Sequence, residues 1–136
     1  MIALLAFTVL LAAVNPLRGE ERLRAGQWEN TMTVDGKSDT RTRCITAAEA
    51  ETTNISAKAM REATEKALEK SGKGICTLKD LKAEGNTISM VTVCGATSNS
   101  TTTIYRGDTF ETKRTSTTAR VAKVMVIKGR RLGACP

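Results

Sequence analysis

The chain has 136 residues, with 21 Lys and Arg against 14 Asp and Glu, for a formal charge of +7. It has no His, which excludes Ser-His-Asp and Cys-His hydrolysis and removes the commonest general base and metal ligand. Aromatic residues make up 3 per cent, too few for the stacking platforms that read single-stranded nucleic acid, so no nucleic-acid partner is expected.

Ile2 to Val14 is apolar apart from Thr8. At about 1.5 Å per residue it reaches about 20 Å, short of the roughly 30 Å bilayer core. It therefore reads as the apolar region of a signal peptide, ended by Pro16 and Gly19. The expected organisation is a leader over residues 1–19, cleaved between residues 13 and 22, followed by one domain over residues 20–136. No later stretch is long and apolar enough to span a membrane, so no transmembrane segment is expected in the mature chain. The four Cys, at 44, 76, 94 and 135, are an even set behind an export signal and predict two disulfides.

Gln27 to Val34 alternates, with Trp28, Asn30, Met32 and Val34 on one side. That period of two predicts a half-buried strand. Asp35-Gly36 supplies the positive φ of a tight hairpin turn, and Lys37 to Ile45 is the return strand. A two-residue turn pairs Trp28 with Arg43 and Gln27 with Cys44. Thr46-Ala-Ala-Glu49 is a capping box that opens a helix. Thr52-Thr53-Asn54 predicts a kink, after which Asn54 or Ser56 caps a second segment to about Lys70, with Gly72 at its end. Ile55, Ala59, Ala63 and Ala67, with Met60 and Leu68 beside them, form its expected buried stripe.

From Ile75 the period returns to two. Ile75 to Ala83 and Thr87 to Cys94 flank Glu84-Gly85-Asn86; Thr101 to Tyr105 and Thr109 to Thr118 flank Arg106-Gly107-Asp108; Arg120 to Lys128 is a last strand. The expected fold is α+β, an antiparallel meander of six to seven strands in the order β-β-α-β-β-β-β-β, with one kinked helix on one face and two disulfides. A hairpin centred on Gly85 sets Cys76 opposite Cys94, where strand Cα atoms lie about 4.5 to 5.5 Å apart. Cys44 and Cys135 then pair by elimination; the two other connectivities stay open on sequence alone.

These residues resemble a known family. Gly26-Gln-Trp28-Glu29 opens the domain, Cys44-Ile-Thr46 precedes the helix, Cys76 and Cys94 follow, and Gly107-Asp108-Thr-Phe110 comes after a Tyr. The end reads Gly129-Arg-Arg131-Leu132-Gly133-Ala-Cys135-Pro136. The pattern resembles domain of unknown function 3617, small exported proteins of Gram-negative bacteria, over about residues 24 to 136. The resemblance implies a periplasmic location and one domain. It implies no activity.

Candidate chemistry is sparse. Structural zinc sites bring ligands in close pairs, and these Cys are far apart without His, so no metal and no cofactor is expected. A redox pair of the Cys-x-x-Cys kind is absent. A Ser-Lys dyad or a carboxylate pair has Glu29, Asp39, Asp80 and Asp108 to draw on, but no spacing brings them together. Arg106-Gly107-Asp108 is explained as a turn, and the glycosylation patterns at Asn54 and Asn99 as accidental. Trp28, the only Trp, fills a core on the plain reading; on the functional reading it rims a ligand pocket. Arg120, Lys123, Lys128, Arg130 and Arg131 form a solvated face or, functionally, a patch for an anionic partner. The leading expectation is a non-catalytic periplasmic module binding a small or anionic envelope ligand. The alternative is a protein-interaction or inhibitor-like module of the envelope, and the third is an unrecognised hydrolase. A concave apolar pocket of about 300 Å³ or more near Trp28 marks the first, a flat apolar patch or open edge strand the second, and a buried carboxylate or Lys with a strongly displaced pKa inside a cleft the third.

Overall fold

The computed structural model describes residues 21–72 and 74–136. The leader assignment over residues 1–19 lies outside the described residues. Seven antiparallel strands form one sheet: β1 (Gly26–Val34), β2 (Lys37–Ile45), β3 (Cys76–Glu84), β4 (Thr87–Cys94), β5 (Thr97–Arg106), β6 (Thr109–Thr118) and β7 (Val121–Gly133). Their order is β2-β1-β7-β6-β5-β4-β3. The expected kinked helix is two helices, α1 (Ala47–Asn54) and α2 (Ala57–Gly72), which carry the chain from one edge strand to the other. Among the described residues no helix is long and apolar enough to cross a membrane.

Local chemistry explains the elements. Asp35 and Gly36 take φ of 50° and 74°, and the turn pairs Trp28 with Arg43 and Gln27 with Cys44 as expected. Thr46 Oγ1 accepts from Glu49 N at 3.2 Å while Glu49 Oε2 accepts from Thr46 N at 2.7 Å, closing the capping box. The Thr46 amide and hydroxyl hold the Glu49 carboxyl below its ordinary range. Ser56 is the residue that caps α2, accepting from Ala59 N at 3.3 Å. Gly74, at φ 76°, rather than Gly72 turns the chain after α2.

The connection is short for the distance it covers. Six inter-strand steps at about 4.8 Å would separate flat edges by about 29 Å. Eight residues of α1 rise only about 12 Å. Yet the Arg22 guanidinium touches both the end of α1, at Thr53 O and Ile55 O (3.2 Å each), and the β3–β4 turn, at Gly85 O (2.8 Å). The sheet must therefore curl at this end, and the Trp28 side of the sheet is the inside of the curl.

The core fills that curled end. Trp28 is fully buried, and Ile45, Leu23 and Ala50 pack with it. Phe110 lies 5.5 Å from the Trp28 ring, and Tyr105 lies 5.9 Å from Phe110. Asn54 ties the entering chain down: its Oδ1 accepts from Arg22 N and Leu23 N, and its Nδ2 donates to Leu23 O. The Phe110 ring lies over Gly129, where a Cβ would overlap it. α2 packs against β3 and no other strand to a like extent. Its expected buried stripe is only partly covered. Ala63 and Ala67 are exposed, and with Ile55, Met60 and Leu68 they line an open depression.

Both disulfides form as expected, Cys44–Cys135 and Cys76–Cys94. The second reaches its register by an unforeseen route. The turn is Gly85-Asn86 alone, pairing Glu84 with Thr87, which would set Cys76 one position off Cys94. A bulge between Leu78 and Asp80 absorbs one residue and restores the pair, with Cα atoms 4.1 Å apart.

Two outcomes follow for stability. The bridges span 91 and 18 residues. Replacing Cys44 and Cys135 by Ala should cost about 4 to 5 kcal/mol, and replacing Cys76 and Cys94 about 3 kcal/mol, on chain entropy. Urea unfolding of the two double variants checks this order; equal losses would contradict it. Gly129→Ala should displace Phe110, cost about 1 to 3 kcal/mol and shift Trp28 fluorescence to the red. An unshifted emission with native stability would show that the ring moves aside freely.

Candidate functional site

Strand alternation divides the basic run near the C-terminus. On β7, Lys123 and Arg131 share the inner face with Met125 and Ile127, while Lys128 and Arg130 lie on the outer face. The outer pair is neutralised: Lys128 meets Glu111 at 3.7 Å and Arg130 meets Glu29 at 3.0 Å. Arg131 is half-buried and donates to Ala25 O at 2.9 Å, a structural contact. Arg120 sits in the β6–β7 turn at φ 67°. The five residues do not form one patch. Trp28 does not rim a pocket either: its Nε1 donates to Arg24 O at 2.9 Å inside the core.

The other sequence motifs are structural. Asp108 of the Arg106-Gly107-Asp108 turn pairs with Arg24 at 3.6 Å. Asn54 and Asn99, which head the glycosylation patterns, are each 8 per cent exposed with occupied side chains. Glu29, Asp39, Asp80 and Asp108 each meet a cation in separate places.

The open part of the inner face lies beyond the core, toward the β1–β2 and β6–β7 turns. One cross-strand row there runs Lys37, Val34, Met125, Arg114, taken from β2, β1, β7 and β6. The neighbouring row places Met32 beside Ile127, and Met32 is 38 per cent exposed. Lys123 stands opposite Ser116, diagonal to Arg114, so their Cβ atoms are about 7 to 8 Å apart. Among the described residues neither Arg114 nor Lys123 meets a carboxylate. Arg114 is held by Asn99: its Nη2 donates to Asn99 Oδ1 at 3.2 Å, and Ser116 Oγ donates to the same oxygen at 2.6 Å. Val34, Arg114, Ser116, Lys123 and Met125 line a depression of about 180 Å³.

The arrangement is a pair of neighbouring like charges over an apolar floor. Two cations this close repel, and an anion between them removes the repulsion. Chemically it can hold an acidic group by charge-assisted hydrogen bonds and an adjoining alkyl chain by contact. The sequence reading included Lys123 but missed Arg114, Asn99 and Ser116. The turn is Gly107-Asp108 alone, pairing Arg106 with Thr109, and this register puts all three on one face; the three-residue turn read from the sequence would have set Asn99 on the other face.

One titratable group near the core departs from its ordinary behaviour. Burial raises the Tyr105 phenol, opposed by the Arg22 charge and the Thr103 side chain. A raised folded value means stability is complete below the unfolded value of about 10 and is lost as pH climbs through the folded one. Spectroscopic titration of Tyr105, the only Tyr, should give a midpoint above about 10. A midpoint at or below that value would contradict its burial.

No curated protein and no solved structure matches the chain significantly. Residues 23–135 match the family model described as "Protein of unknown function (DUF3617)", which spans the domain from Leu23 in the core to the disulfide at Cys135. The chain belongs to the DUF3617 family.

Proposed function

We propose that the protein is a non-catalytic binding module of the bacterial periplasm that holds a small anionic amphiphile on the inner face of its sheet. The observation that carries this reading is the Arg114–Lys123 pair, uncompensated by any carboxylate among the described residues and set beside Val34 and Met125. Asn99 fixes the guanidinium before any ligand arrives, which lowers the ordering cost of binding. The alkyl surface of exposed Met32 and half-buried Val34, Met125 and Ile127 suits a short chain attached to the acidic head. A second copy of the protein is a poor occupant. It would bring like charges against Arg114 and Lys123, in a chain already at +7. The apolar stretch Ile2 to Val14, read as part of an export signal, supports the location. The absence of His and the dispersal of the carboxylates support a role without catalysis.

Calorimetry with octyl phosphate, octanol and inorganic phosphate tests the reading on the disulfide-intact protein. Octyl phosphate should bind at least about tenfold more tightly than either fragment, because it alone satisfies both the charge and the apolar floor. Arg114→Gln with Lys123→Gln should remove the preference for octyl phosphate over octanol. Equal binding of octanol and octyl phosphate by the unaltered protein, or a preference that survives both substitutions, overturns the proposal.

A further inference from the structure

The two edges of the sheet are treated differently. On β3, the non-hydrogen-bonded positions opposite β4 turn their backbone groups outward, and Leu81 is one of them. Its carbonyl is taken by Arg61 Nη2 at 3.3 Å, and α2 lies along the strand. That edge is closed.

The β2 edge is open. Its two-residue turn makes Val34 and Lys37 a hydrogen-bonded pair, so Lys37, Asp39, Arg41 and Arg43 direct their N–H and C=O toward β1. Ser38, Thr40 and Thr42 therefore present theirs to the outside. β2 neighbours β1 alone, and residues 37–44 are exposed throughout. The Cys44–Cys135 bridge secures one end of the strand and the turn secures the other, so the edge is tied at both ends without being covered.

Charge decides what can be added. Ahead of the buried Ile45, the inner-face side chains of β2 are Lys37, Asp39, Arg41 and Arg43, a surplus of two positive charges within the strand and of one once Glu49 beside Arg43 is counted. Asp39 is paired with Arg41 at 2.7 Å, Arg43 reaches Glu49 at 3.5 Å, and among the described residues Lys37 meets no carboxylate. Edge charges of this kind deter pairing between copies, since two β2 strands would set like surpluses side by side. The same charges favour a strand of opposite sign, because discrimination is a difference between two affinities. We infer that the β2 edge accepts an extended acidic segment of a partner protein as an eighth strand, with carboxylates at alternate positions on the inner face beside Lys37, Arg41 and Arg43. Main-chain bonds to Ser38, Thr40 and Thr42 supply the attachment, and the alternating charges supply the selectivity. It does not depend on the amphiphile site, whose cations Arg114 and Lys123 lie on β6 and β7 with Val34 of β1 beside them.

Amide hydrogen exchange followed by NMR on the disulfide-intact protein is the test. The probes are a short blocked peptide alternating Glu with Val and its counterpart with Lys in place of Glu. The Glu peptide should slow exchange at Ser38, Thr40 and Thr42 by about tenfold or more, leave Lys37, Asp39 and Arg41 little changed, and lose effect in high salt. The Lys peptide should do nothing. Thr40→Pro removes one outward N–H and no main-chain bond to β1, giving up only the Thr40–Thr31 hydroxyl contact at 2.9 Å, so it should abolish the protection. Should that variant fail to fold, Lys37→Glu with Arg43→Glu provides the second arm and should reverse the preference between the peptides. Equal protection by both peptides, no protection at the alternate β2 amides, or an unchanged preference in the charge-reversed protein overturns the inference. The octyl phosphate measurement is unaffected by any of these results, so the two proposals fail separately.

Discussion

The guanidinium of Arg22 holds the curled end of this fold together. The residue is 4 per cent exposed and its three hydrogen bonds go to carbonyls, at Gly85, Thr53 and Ile55. A buried charge is costly unless its hydrogen bonds are met, and here two of the acceptors belong to the end of α1, where the helix dipole is negative. α1 has no basic residue of its own in its last turn, so the cation comes from a distant part of the chain. The adjoining residues extend the same clamp. Leu23 enters the core, Asn54 binds its backbone, and Arg24 supplies the carbonyl that satisfies the Trp28 indole. One short segment thus sets the end of α1, the position of the β3–β4 turn and the seat of the Trp.

The apolar material of the chain is concentrated there. The aromatic residues among the described ones, Trp28, Tyr105 and Phe110, form a single cluster at the curled end. The rest of the sheet is held by its ladders and by a disulfide on each edge strand, Cys44 on β2 and Cys76 on β3. Edge strands have a partner on one side only and are the first to open, so covalent bonds there restrain the segments with the fewest other contacts. The inner face beyond the core is left to Thr, Met and Val, with Lys37, Arg114 and Lys123 free of carboxylates among the described residues.

This arrangement leaves positive charge where it can act. On the outer face Lys128 and Arg130 are neutralised by Glu111 and Glu29, whereas on the inner face Arg114 and Lys123 meet no carboxylate among the described residues. Long-range attraction of an acidic partner by a +7 domain is unselective. Selectivity comes from the local setting: an apolar floor beside two cations in one place, and a free backbone edge beside alternating charges in another. Both settings depend on residues brought together by strand pairing.

The strands, the hairpin turn, the capping box and both disulfide pairs were legible in the chain, because each rests on neighbours a few residues apart or on one hairpin's symmetry. Even there, the bulge after Leu78 shows a correct pairing reached through two offsetting departures. The role of Arg22 was not legible, since its partners lie 31 to 63 positions away and only the curl brings them near. The basic run from Arg120 to Arg131 looked continuous in sequence and was split by alternation across two faces. Sequence by itself determined the order of strands and helices and favoured one of three Cys pairings, through local periodicity, turn chemistry and hairpin symmetry. Tertiary structure alone decided which cations stay free and which edge stays open, because those outcomes depend on which side chains distant strands and helices bring alongside.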